Sequence, residues 1–421
     1  MTTKNFISSK AKVVVLIISL LCLYSCIEDY PIVINQNYKN ALVVDGKITN
    51  LPGPYTIKLS AATSIEDDSY NPVKNATVTI SDNEGNTENL SEIEPGKYQT
   101  SADGIRGIVG RSYKIIIQTN AGKHYESEFE ELLAPIGIES LTANLESPYT
   151  PKSQTTSLNI DQDEGYQFYV TTADSEKNQN YYWQLDETWE IRSYYKITRI
   201  YDPMGGPNQT GRYYLPESID TLYYCWKSIE NKIFTASTAY LNTSRIINHP
   251  LNFVSAQSEM LKYKYSLLLT QYTISEETHN FLNALINQED GLEGLYTKQP
   301  YQIRGNVYNI DNSEEVVLGY FIVASTTERT RLTVARPPEI KSRWIMECEG
   351  DDFPVLEGES LRIRLNEGYE LYYLTDVTFT AYGGFDGNIP YLTTVETLPP
   401  VECIDCTSRG ATTIKPDYWD Q

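Results

Sequence analysis

Strand-length runs broken by turn residues recur through most of this chain, and they limit its fold more than any other feature. Residues 41–47 are apolar. Residues 55–60 alternate, with Ile57 and Leu59 on one face, and 76–81 put Ala76, Val78 and Ile80 on one face. Asn83-Glu84-Gly85-Asn86 reads as a turn, and Gly96 precedes a short strand around Tyr98. Asn120-Ala121-Gly122 turns the β-rich stretch 113–118 into 124–129. Runs of this length at such spacing, with Gly, Asn and Pro between them, predict a β-sandwich, and about 100 residues suits one immunoglobulin-like domain. Tyrosine supports the reading: 34 Tyr stand against 10 Phe and 5 Trp, and Tyr favours strands and half-buried surfaces.

Pro135 marks a boundary. Residues 144–158 are polar and loop-like, and a second β-rich region begins near Leu158. Residues 166–172 and 181–191 read as long aromatic strands, 203–211 as a Gly/Pro-rich loop and 263–271 as a buried strand. A helix is predicted near 275–290. Ser275 caps it, Glu276 and Glu277 lie in the first turn, Phe281, Leu282, Leu285 and Ile286 share a face, and Gly291 ends it. Strand signals return at 301–308, 316–324, 361–365 and 371–382. The expected architecture is all-β: two immunoglobulin-like β-sandwich domains, 36–135 and 136–400, the second larger and carrying the inserted helix. A Cys-containing tail, 401–421, follows.

The N-terminus reads as an address. Lys4, Lys10 and Lys12 precede an apolar run from Val13 to Leu23, shorter than the ~20 residues of a spanning helix and suited to a secretory signal. Leu23-Tyr24-Ser25-Cys26 resembles the bacterial lipobox, with bulky Tyr24 its one departure. The expectation is a signal peptide over 1–25, lipidation at Cys26 and a linker over 26–35. Ile27, Glu28 and Asp29 behind that cysteine resemble the surface-export signal of Bacteroidota lipoproteins. The mature body would then be tethered by lipid rather than span a membrane.

Cys225, Cys348, Cys403 and Cys406 remain in the mature body. An even count in an exported chain favours disulfides. Three pairings are open: Cys403 with Cys406, or each of them with either Cys225 or Cys348. A zinc site would need two close pairs, and a redox C-x-x-C would sit at a helix start beside a βαβ pattern. Neither fits lone Cys225 and Cys348 or the polar tail around Cys403-Ile404-Asp405-Cys406.

The chemistry-bearing residues are sparse. His124, His249 and His279 are the only histidines, read in a strand, in a loop before Pro250 and on the helix. No nucleophile–base spacing, H-E-x-x-H or phosphate-binding glycine loop occurs, so no catalytic residue, metal ligand or cofactor is expected. Asp161-Gln162-Asp163-Glu164-Gly165 opens like a calcium loop but has Thr172 where an EF-hand needs Glu. Clustered aromatics (Tyr181, Tyr182, Trp183, Trp189, Tyr194, Tyr195, Tyr213, Tyr214, Tyr223, Tyr224, Trp226) read as alternate core residues, with some loop members free to bind. Lys and Arg total 34 against 56 Asp and Glu, a formal net charge of −22, which excludes nucleic acid and anionic lipid surfaces as natural partners.

A set of short motifs runs through the chain. Leu42-Val43-Val44-Asp45-Gly46 with Ile48-Thr49-Asn50 and Gly53-Pro54 opens it, followed by Pro72-Val73, Ala76-Thr77-Val78, Gly85 and Gly96-Lys97-Tyr98. Tyr182-Trp183, Glu187, Tyr265-Ser266, Gln299-Pro300, Gly305-Asn306 and Leu318-Gly319-Tyr320-Phe321 come next, then Cys403-Ile404-Asp405-Cys406, Gly410, Lys415-Pro416 and Trp419. Together they resemble the Bacteroidota outer-membrane lipoprotein family catalogued as domain of unknown function 4249. The resemblance implies a surface partner of a TonB-dependent outer-membrane receptor in nutrient uptake, with room for a small nutrient ligand, and carries no catalytic residues. An adhesive or structural envelope protein is the alternative expectation, and a hydrolase the third.

Overall fold

The computed structural model describes residues 40–63, 70–147, 164–196, 199–202, 212–214, 222–290, 303–327, 329–338, 340, 348, 373–383, 389–397 and 401–420. Most regular structure in it is strand, so the all-β expectation is met. The first stretch forms β1 (Leu42–Thr49), β2 (Thr56–Ala61), β3 (Thr77–Asp82), β4 (Thr87–Asn89), β5 (Ser91–Glu94), β6 (Lys97–Gln99), β7 (Ser112–Gln118), β8 (His124–Ser127) and β9 (Glu130–Glu131). Then come β10 (Ile138–Glu146), β11 (Gly165–Thr172), β12 (Asn180–Arg192), β13 (Arg199–Asp202), β14 (Arg212–Tyr214), β15 (Tyr224–Ser237), β16 (His249–Ser255) and β17 (Lys264–Ile274). Helix α1 (Glu276–Asp290) leads to β18 (Val307–Asn309), β19 (Val317–Thr326), β20 (Thr330–Ala335), β21 (Tyr373–Gly383) and β22 (Ile389–Thr397). The tail holds a one-turn helix α2 (Val401–Ile404) and a 3-10 turn over Cys406–Arg409.

One long sheet organises the molecule, in the order β15-β12-β17-β19-β1-β2-β6-β5, with β20 also on β17. Its β1 end packs against the sheet β18-β8-β7-β3-β4, with Val44, Ile57, Ile80, Tyr98, Ile115 and Phe321 in the core between them. Its β12 end packs against β10-β11-β16 around Phe168, Trp183, Leu185, Val254, Tyr265 and Leu267. A further sheet runs β14-β13-β21-β22.

Residues 303–326 depart from the expected division at 135. They were expected in the second domain; instead β18 pairs with β8, and β19 lies parallel to β1. Val307, Val317, Phe321 and Val323 complete the first core. The physical reason is burial: the apolar strand β1 needs a neighbour on each edge, and only the returning chain supplies the second.

The main sheet forks. β19 pairs with β17 through only Tyr272↔Thr326 and Thr273↔Ser325, whereas β20 pairs with Lys264–Leu269 of the same strand. β19 packs in the first sandwich through Phe321 and Val323, and β20 in the second through Leu332 and Val334. Helix α1 is braced across the same junction. Its cap is as expected, Thr278 N donating to Ser275 Oγ at 3.0 Å. Glu130 of the first sandwich then accepts from Ser275 Oγ and Thr278 Oγ1, both at 2.5 Å.

Candidate binding site at the fork of the main sheet

Side chains alternate across a strand, so Tyr182, Gln184, Asp186, Thr188 and Glu190 share the outer face of β12 while Trp183, Leu185, Glu187, Trp189 and Ile191 point inward. Both ends of this outer face are covered. Helix α1 covers the first end: Leu282 and Phe281 pack with Tyr182, Tyr272, Ile274 and Ala324. The C-terminal tail covers the other. Trp419 Nε1 donates to Glu190 Oε2 at 3.3 Å, and Tyr418 OH meets Thr188 Oγ1 at 3.1 Å. Gln184 and Asp186 are the outer positions between the two covers.

Lys47 of β1 reaches this gap from the first sandwich. Its ammonium lies 4.0 Å from the centre of the Tyr272 ring and 5.4 Å from that of Tyr182, and it donates to Gln184 Oε1 at 3.3 Å. The two tyrosines stack at 5.0 Å. Tyr182 OH donates to the same Gln184 oxygen at 3.3 Å, and Gln184 Nε2 donates to Asp186 Oδ1 at 3.4 Å. Arg329, exposed just before β20, lies within electrostatic range of both Lys47 and Tyr272. Burial pushes the Lys47 amine down to about 8. The Asp45 and Asp186 carboxylates oppose that fall and the Arg329 guanidinium adds to it. Burial also raises Tyr272 to about 12, and it raises Tyr182 further. Two cations, two carboxylates and two stacked rings thus meet where the sandwiches join, a common place for ligand sites, and a perturbed ionisable group is a usual mark of one.

The sequence did not point to these residues as a site. The available signal was the pair of alternations Asp45-x-Lys47 and Tyr182-x-Gln184-x-Asp186, but Lys47 and Gln184 lie 137 positions apart. The predicted site residues sit as follows. Cys26 lies outside the described residues, with the signal segment, the linker and Cys22. The four body cysteines form Cys225–Cys406 and Cys348–Cys403, so the C-x-x-C pair divides between two partners. This clamps the tail, which further joins the edge strand β15 through a reciprocal Trp226–Thr412 bridge and sends Arg409 to Glu259 at 2.6 Å.

His249 begins strand β16 instead of lying in a loop. It stacks on Trp183 at 5.1 Å, and burial lowers its pKa. Proline is tolerated next to it because β16 is a sheet edge. His124 meets exposed Asp311 at 3.2 Å, and His279 lies on α1. Tyr181, Trp183 and Trp189 fill the core, as the alternation predicts, and Tyr194 is exposed. Asp161, Gln162 and Asp163 lie outside the described residues, while Gly165 opens β11. Among the described residues, no group of three or more His, Cys, Asp or Glu could hold a metal ion.

The motif residues prove to be contacts. Asn306 exchanges hydrogen bonds with the Phe321 backbone at 2.8 and 2.9 Å. A Cβ on Gly305 would lie 1.6 Å from the Gly319 carbonyl oxygen, and one on Gly319 would lie 2.0 Å from that of Val44. Buried Glu187 crosses the second core to accept from Tyr265 OH and, at 2.6 Å, from Asn252 Nδ2 on the opposite sheet. The fold defines a β-sandwich protein whose two cores share one long sheet. The chain belongs to the family described as a domain of unknown function (DUF4249), whose profile matches residues 27–330. The tail motifs lie beyond that match. No curated protein matches the chain.

Proposed function

We propose that this chain is a lipid-anchored, surface-exposed outer-membrane protein, tethered through Cys26. It acts without catalysis, as the binding partner of a TonB-dependent transporter in nutrient uptake. The observation that carries the reading is the fork set, Lys47, Arg329, Asp45 and Asp186 around the Tyr182–Tyr272 stack. These groups offer charge for recognition beside a buried aromatic stack, on a platform made by both sandwiches. Two disulfides that lock the tail support an exported, oxidised setting. Deleting the gene should impair growth on one nutrient that the transporter imports. Unimpaired growth on all of them would refute the proposal.

An adhesive or structural envelope role is the second reading. It is supported by the loop between β15 and β16, where Tyr240 is 97% exposed and Leu241 and Ile247 are also exposed. Arg245 ties that loop down through Glu139. This reading predicts normal uptake with altered attachment or envelope integrity.

A further inference from the structure

Lys47 is a half-buried cation whose nearest contacts are two aromatic rings and one neutral amide oxygen. The carboxylate two residues away on its own strand, Asp45, turns to Lys58 at 3.6 Å. Asp186 takes a hydrogen bond from Gln184 on the far side of that amide. A desolvated ammonium held by rings and an amide has unspent capacity for an anion, because a charge-assisted hydrogen bond is about twice as strong as a neutral one. Arg329, exposed next to β20, lies within electrostatic range of Lys47 and adds a second positive charge.

We propose that the fork of the main sheet is a carboxylate-binding site, in which the Lys47 ammonium and the Arg329 guanidinium hold the anion beside the Tyr182–Tyr272 stack. The groups on this face of the packed strands are Asp45 and Lys58 on β1 and β2, Tyr320 opposite Asp45 on β19, Asp186 and Tyr182 on β12, and Tyr272 on β17. Asp45 and Asp186 limit how much negative charge the site accepts, so a singly charged carboxylate binds better than phosphate. The net negative charge of the body does not oppose this at contact range, since salt screens exposed charges beyond a Debye length of about 8 Å. The anion is a free solute or a carboxylate side chain of a partner protein. The inference rests on reading the fork as the binding site and needs no transporter.

The test is a pH titration of Lys47 by NMR in the isolated, 13Cε-lysine-labelled chain, with the Lys47→Met variant assigning the signal. Acetate at tens of millimolar should raise the Lys47 midpoint above its value in chloride of equal ionic strength, by about one unit if the charged amine binds acetate ten times more tightly than the neutral one. Phosphate should raise it less, and Arg329→Gln should reduce the acetate effect without moving other lysines. Equal midpoints in acetate and chloride would overturn the proposal, as would an equal rise at Lys58. Once acetate binding is established, receptor capture by Lys47→Met distinguishes the sources. Retained capture assigns the carboxylate to a free solute, and lost capture assigns it to a receptor side chain.

Discussion

Asn50 and Thr326 hold one another at the fork as two strands would: Asn50 Nδ2 donates to Thr326 O at 2.9 Å, and Thr326 N donates to Asn50 Oδ1 at 2.8 Å. Asn50 follows β1, and Thr326 ends β19 where it meets β17. The side-chain amide therefore extends the parallel pairing to the point where the two sandwiches separate. Asn50→Ala leaves both backbone groups of buried Thr326 without this partner. The expected loss is about 1–3 kcal/mol in urea unfolding. A change under 0.5 kcal/mol, about the scatter of ordinary surface substitutions, would show that the pair is incidental.

Gly319 carries the closest approach in the parallel pairing. Its φ of +79° is one that side chains avoid, and Val44 leaves no room for a Cβ. Gly319→Ala should destabilise by more than about 3 kcal/mol, because both the backbone conformation and the β1–β19 spacing are violated. The lost signals in hydrogen exchange should concentrate in β1, β18 and β19.

The Cys225–Cys406 bond closes a separation of 181 residues. Replacing both cysteines by Ala should lower stability by about 2–4 kcal/mol. It should also free the tail from Glu190 and Thr188, so limited proteolysis should remove the segment after Gly410 from the variant and spare it in the oxidised parent.

Glu130 gives the junction a pH dependence. Burial raises its carboxyl to about 7 from the ordinary 4.5; the Ser275 and Thr278 hydroxyls pull it back, and the Glu277 charge raises it further. Its Oε2 is buried without a hydrogen-bond partner. A carboxyl with a raised folded-state pKa contributes stability that is complete below the unfolded value and is lost as pH rises through the folded one. Stability should therefore fall between pH 4.5 and 7, by about 1–3 kcal/mol. Glu130→Gln should remove that slope and be the more stable protein at pH 8. An unchanged slope would assign it to other groups.

Much of the fold was legible where one face is buried. Alternation locates β2 and β3, and apolar, β-rich or aromatic runs locate β1, β7, β11, β12, β17 and β19, to within a few residues; Ser275 locates α1. The misses have physical causes. Strand β15 went unseen because Lys227, Glu230 and Lys232 interrupt its pattern. It is a sheet edge with a register shift opposite Leu185 and Glu187, where charge is tolerated. Strand β10 reads partly as loop because none of its side chains is fully buried: they range from half-buried to exposed. Pro250 argued for a loop at β16, and the edge position overrode it. The fork was illegible because Lys47, Gln184, Tyr272 and Arg329 meet only through β19, whose return to β1 no local pattern encodes.

The central claim is partnership with a transporter, and the most direct test is affinity capture of the tagged, full-length protein from outer membranes in mild detergent, followed by mass spectrometry. A near-stoichiometric TonB-dependent receptor is the predicted result. Recovery of the chain alone, under conditions that keep other transporter complexes intact, would contradict the account and move the weight to an adhesive or structural role.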